Sequence, residues 1–130
     1  MEPLNVFGKS LKKCACGGNN KITGYTRDNY CRSILSDIGT HIVCAVMTDE
    51  FLKFTYKKGN DLIHPSFGFP GLVEGDCWCV CVLRWIEAYK AGVAPPIILE
   101  STSQRALEYI SPKILKEYSV RNYVPYDPLS

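Results

Sequence analysis

His41-Ile42-Val43-Cys44-Ala45-Val46-Met47-Thr48-Asp49-Glu50-Phe51-Leu52 is the stretch whose reading decides the fold. Residues 41–47 are an almost unbroken run of β-branched and small apolar side chains, which suits a strand buried on both faces. Thr48 then supplies a helix N-cap. Asp49 and Glu50 fall in the first turn, where the helix dipole favours carboxylates. Phe51, Leu52, Thr55 and Tyr56 recur at helical spacing, Lys57 and Lys58 occupy the last turn, and Gly59 suits the position just past the end. The grammar predicts a strand over 41–47 and a helix over about 49–58.

Further along, the same grammar repeats. Cys77 to Leu83 is rich in strand formers, Arg84 to Ala91 reads as helix, and Gly92 stops it. One helix over 77–91 is the alternative, because Trp78, Cys81, Trp85 and Ala88 also share a helical face. Between the two units, residues 60–76 carry Asn60, Asp61, Pro65, Gly68, Pro70, Gly71 and Gly75, an ordered loop whose Phe67 and Phe69 are expected to fold back onto the core. After Pro95-Pro96, residues 97–100 read as a short strand. Ser101 and Gln104 have capping-box spacing before a helix through Ala106, Leu107 and Tyr109, and Ser111-Pro112 opens a last short helix. Residues 1–40 are dense in turn formers, notably from Lys12 to Asn20, and form a loop-rich N-terminal third. The expected fold class is α+β: one small domain over 1–120 with a mixed sheet covered by helices, and an extended C-terminal tail over 121–130.

A chain of 130 residues is long enough to bury a core without staples. Its 46% hydrophobic and 22% charged residues are ordinary for a globular domain. A formal net charge of +2 with scattered basic residues gives no concentrated basic face, so neither a nucleic-acid nor a membrane-surface partner is expected. The start, Met1 to Asn5, lacks the basic and apolar regions of a secretory signal, and no apolar run reaches bilayer length. The expectation is a cytoplasmic protein. Nothing in the sequence sets its oligomeric state.

Cysteine is the outlier: Cys14, Cys16, Cys31, Cys44, Cys77, Cys79 and Cys81. Seven is odd, so complete internal pairing is excluded, and a reducing compartment disfavours a disulfide framework. On a strand, Cys77, Cys79 and Cys81 point to one face, and Cys44 on a second strand can lie beside them. Joined by Cys14 or Cys31 from the loops, these thiols make a candidate metal site, with zinc the candidate ion, although C-x-C is not the usual zinc knuckle. The bland reading is a set of small buried residues. A reactive or switchable thiol is the second candidate. His41 and Cys44 stand three apart, hence on opposite faces of a strand, so a Cys–His pair has to form across strands, for example His41 with Cys31.

Arg27 and Asp28 near Cys31, together with His41, make a candidate catalytic set. An apolar cleft lined by Phe67, Phe69, Trp78, Trp85 and Tyr89, with Asp61, Asp76 and Arg84 as polar anchors, is the candidate ligand pocket. Against these stand plainer roles: aromatic core, turn or cap aspartates and a surface Arg–Asp pair. No phosphate loop, dinucleotide fingerprint, serine elbow or H-E-x-x-H is present, and only His41 and His64 exist, so a three-histidine metal site is excluded.

Many ordered fragments carry a resemblance. They include Asn5-Val6-Phe7-Gly8, Thr23-Gly24-Tyr25-Thr26-Arg27-Asp28, His41 through Leu52, Gly59-Asn60-Asp61-Leu62, Phe69-Pro70-Gly71-Leu72, Gly75-Asp76, Trp78-Cys79-Val80-Cys81, Arg84-Trp85 and Ala91 through Pro96. Up to about Val120 the chain resembles a small, mainly bacterial family catalogued as domain of unknown function 2237. The resemblance implies matching cysteine positions at Cys14, Cys31, Cys44, Cys79 and Cys81, with His41 before the third. Cys16 and Cys77 are extras, and Ser103 stands where members often carry histidine. It implies no activity. The leading reading is therefore a cysteine-cluster protein that binds metal or responds to redox state. Its rivals are a binding or assembly module with structural cysteines, and a small enzyme with an Arg/Asp/His or Cys/His site.

Overall fold

The computed structural model describes residues 2–16 and 21–122. The expected turns at Gly17 to Asn20 and the tail beyond residue 122 lie outside them.

Strand β1 (His41–Val46) pairs antiparallel with β2 (Cys77–Cys81). Isolated bridges widen this hairpin: Ala45 with Ile97 in antiparallel sense, and Ile97 with Ser119 in parallel sense. The fold is α+β as expected, but the sheet is a two-stranded antiparallel one and not mixed, since the only parallel contact among the described residues is a single isolated bridge. Helix α1 (Asp49–Lys57) follows β1 as its residues dictate. The Thr48 hydroxyl accepts the Phe51 amide at 3.2 Å, and Gly59 continues the chain at φ +95°. Helix α2 (Val82–Lys90) follows β2 directly, so the strand-then-helix reading of 77–91 holds, with the helix beginning two residues earlier than expected. Helix α3 (Pro112–Glu117) starts at the expected Ser111 cap, whose hydroxyl accepts the Ile114 amide.

Between α2 and α3 the expected elements shrink. Only Ile97 bridges, because a 3-10 turn over Leu99–Ser101 bends the chain away. The helix expected through Tyr109 is a second 3-10 turn, Gln104–Glu108, capped by Ser103. Ser101 does not cap it: its hydroxyl is drawn to the Lys13 carbonyl at 2.8 Å, across the fold.

Strand alternation sorts the side chains. Val43, Ala45, Trp78 and Val80 join Phe51, Leu52, Trp85 and Ala88 from the helices in the apolar core. Trp85 is fully buried, donates its indole N–H to the Pro95 carbonyl at 3.0 Å, and packs against Tyr89 and Tyr118. Cys44, Cys77 and Cys79 instead join Cys14 and Cys31. Helices therefore cover one face of the hairpin, and the N-terminal loops, not helices, cover the other. Phe69 does fold back, edge-on to Trp78 at 5.3 Å, while Phe67 is fully exposed.

The hairpin carries one irregularity. His41 faces Cys81 and Val43 faces Val80, so two steps along β1 match one along β2. Ile42 is the extra residue of a β-bulge.

Candidate functional site

Three disulfides tie the N-terminal loops to the hairpin: Cys14 to Cys44, Cys16 to Cys77, and Cys31 to Cys79. This departs from the expectation that a disulfide framework is disfavoured. Neighbouring strands and the loops packed on them bring the Cα atoms of each pair within 5.3–5.6 Å, inside the bonding range. Cys81 is left as the free thiol, as an odd count requires.

Cys44 and Cys79 face each other across the hairpin. Their amides donate outward, Cys44 to the Thr102 hydroxyl at 3.1 Å and Cys79 to the Thr23 hydroxyl at 2.8 Å. Outward amides mark a pair without mutual hydrogen bonds, the arrangement that brings facing side chains closest. Yet each sulfur is bonded to a loop cysteine and not to its neighbour. The sulfurs of Cys14, Cys31 and Cys44 all lie within 4.8 Å of one another, and all three residues are buried. They form a group that could hold a metal ion once reduced, since the ligand is the thiolate. The buried threonines that fix the strand amides carry no sequence signal beyond β-propensity, and they were not among the expected site residues.

His41 sits at the edge of this region. Its Nδ1 lies 2.7 Å from Asp37 Oδ1, and its amide donates to Asp37 Oδ2 at 2.8 Å. Asp37 is buried and was not among the expected site residues. The only sequence signal for it is the turn-like Asp37-Ile38-Gly39-Thr40 run before β1. Because of the bulge, His41 and Cys44 do not lie on opposite faces as simple alternation predicts. Their partners Cys81 and Cys79 are two apart on β2, hence on one face.

A cavity of about 420 Å³ opens beside the hairpin, lined by Arg27, His41, Asp61, Phe69, Trp78 and Cys79 among others. Arg27 has a left-handed backbone, φ +56°, and its guanidinium lies 5.4 Å from the Trp78 ring centroid. Asp28 points elsewhere, to Arg32 at 2.9 Å and to the Thr26 hydroxyl at 2.7 Å. Burial raises its carboxyl pKa, but hydrogen bonds from Thr26, Tyr30 and Arg32 outweigh this and hold it below the usual value. Asp61 is held low as well, chiefly by the His64 amide. Of the expected catalytic set, then, Arg27 and His41 share a cavity and Asp28 does not. Of the expected pocket residues, Asp61, Phe69 and Trp78 line it. Asp76 is bound to Lys21 and the Val73 amide, Arg84 pairs with Glu87 on α2, and Trp85 is core.

A family model described as an uncharacterized protein conserved in bacteria (DUF2237) matches residues 4–119. The chain belongs to this family. The DUF2237 match spans every described element and both sides of each disulfide. A search of curated proteins finds no match. Among the described residues, no helix is long and apolar enough to cross a membrane.

Proposed function

We propose that this DUF2237 chain is a redox-responsive thiol protein whose buried cluster, Cys14, Cys31, Cys44 and Cys79, cycles between two disulfides and a reduced set. The observation that carries it is the crowding of sulfurs from two different disulfides. Cys31, bonded to Cys79, lies within 4.8 Å of both members of the Cys14–Cys44 bond. Neighbouring disulfides at that range can exchange partners through small side-chain rotations. Each reduction takes two electrons and two protons from a dithiol, which leaves as its own disulfide. The released thiolates of Cys14, Cys31 and Cys44 then form a zinc-ligand set. A transient disulfide also accords with a cytoplasmic setting, where persistent ones are rare.

Poising the protein at stepped ratios of oxidised to reduced dithiothreitol, then trapping thiols by alkylation, reads the transitions by mass. The expected result is reversible reduction of the cluster within the cellular window of roughly −180 to −320 mV while the fold persists. The reduced protein should take up one zinc in native mass spectrometry and lose it in Cys31→Ser.

The rival is a module with structural disulfides. Burial of all five cysteines in the sulfur cluster favours it, since access limits exchange. Reduction only on unfolding would establish the rival and end the redox reading.

A further inference from the structure

The unpaired thiol lies apart from the disulfides. Cys81 ends β2, is half-buried, and stands at the N-cap of α2 without a capping hydrogen bond. Across the hairpin it faces His41. Facing residues of an antiparallel pair share a face, with Cβ atoms about 4.5–5.5 Å apart. Both line a small cavity of about 40 Å³. It shares His41, Leu62, Trp78 and Cys79 with the larger cavity that holds Arg27.

Asp37 completes the set. Its carboxylate can only accept, so the 2.7 Å contact places the proton of neutral His41 on Nδ1 and leaves Nε2 as an acceptor. The ring is further seated against Gly39, where a Cβ would meet Cε1 at 2.4 Å. A thiol, an imidazole across from it and a buried carboxylate orienting the imidazole are the parts of an activated nucleophile. Arg27 supplies the recognition element. No carboxylate among the described residues forms an ion pair with it, and its guanidinium lies over the Trp78 ring at the cavity wall.

We propose that Cys81 is a nucleophilic thiol activated by His41, with Asp37 as positioning residue, and that it accepts a small carboxylate-bearing disulfide anchored by Arg27. His41 Nε2 takes the proton of Cys81. The thiolate attacks one sulfur of the bound disulfide, a bond from Cys81 to that sulfur forms, and the original S–S bond breaks. The departing thiolate regains the proton from His41. One thiol and one disulfide become a mixed disulfide and a small thiol, with no further oxidant. The step uses none of the six paired cysteines, so it stands whether or not the buried cluster cycles.

The test incubates the oxidised full chain with oxidised glutathione and follows the adduct by intact mass and peptide mapping. One adduct at Cys81 is expected, forming about tenfold faster on the folded than on the guanidine-unfolded chain. His41→Gln should remove that advantage. Arg27→Gln should slow oxidised glutathione while leaving the neutral 2-hydroxyethyl disulfide unaffected. For Asp37, 15N NMR should show the Nδ1–H tautomer of His41 in the native chain and its loss in Asp37→Asn. Equal rates on folded and unfolded chains, or an unchanged rate in His41→Gln, would overturn the activated thiol. Equal slowing of both disulfides in Arg27→Gln would overturn the anionic substrate class. The potential of the buried cluster is read in the separate redox titration, so either proposal can fail alone.

Discussion

Gly39 is required by space and not by its backbone angle. The His41 ring occupies the volume a side chain would need, with Cε1, Nε2 and Nδ1 all within 3.1 Å of the ideal Cβ position. The ring is partly exposed, so it can swing outward, but only by leaving Asp37 Oδ1 of the buried carboxylate without the ring nitrogen. Gly39→Ala should therefore cost about 1–3 kcal/mol, the range for overpacking. It should also break the Asp37–His41 contact, which the melting temperature and the His41 ring chemical shifts would show. At this scale the sequence was informative about residue types and weak about partners. His41, Arg27 and the cysteines stood out by chemistry, whereas Asp37 looked like any turn aspartate. What identifies it is the path of the chain between residues 37 and 41, which brings both carboxylate oxygens onto one histidine.

Elements whose ends are written in local chemistry were readable. Helix α1 begins at a threonine cap, carries acids in its first turn and ends before a glycine, and its observed span of Asp49–Lys57 follows from those residues. Thr48→Ala should destabilise the protein by about 1 kcal/mol, measured by chemical denaturation, because the Phe51 amide loses its acceptor. The 3-10 turns were not readable. Ser101 has the spacing of a cap, but its hydroxyl is claimed by Lys13, far away in sequence. The bulge at Ile42 was equally hidden, since a run of apolar residues shows no break when one of them is extra to the register. That hidden residue decides the geometry of the candidate site, for it is what sets His41 opposite Cys81 in the register.

The molecule as a whole is a hairpin with two different coverings. Helices bury one face by hydrophobic packing, and the N-terminal loops close the other through sulfur. The α+β class was legible from the alternating periodicities. The covalent closure was not, because cysteine pairing depends on distances that spacing alone does not give. Removing one bridge should show the asymmetry. Cys14→Ser frees a loop-closing link that spans 30 residues, and a loss of roughly 2–4 kcal/mol is expected. Hydrogen exchange should then rise first in residues 2–16 and 21–40, with the amides of β1 and β2 remaining protected longest.

The connectivity also sets an order on the chain during its synthesis. Cys14, Cys16 and Cys31 leave the ribosome first, and their partners are Cys44, Cys77 and Cys79. No correct bridge can close within the first 43 residues, and two of the three must wait for β2. Until Cys44 emerges the early cysteines have only one another to react with, and every such union is wrong; until β2 emerges, Cys16 and Cys31 still lack their partners. The nascent chain is therefore most exposed to oxidants before its second strand emerges, and cells that oxidise it late should recover more of it correctly joined.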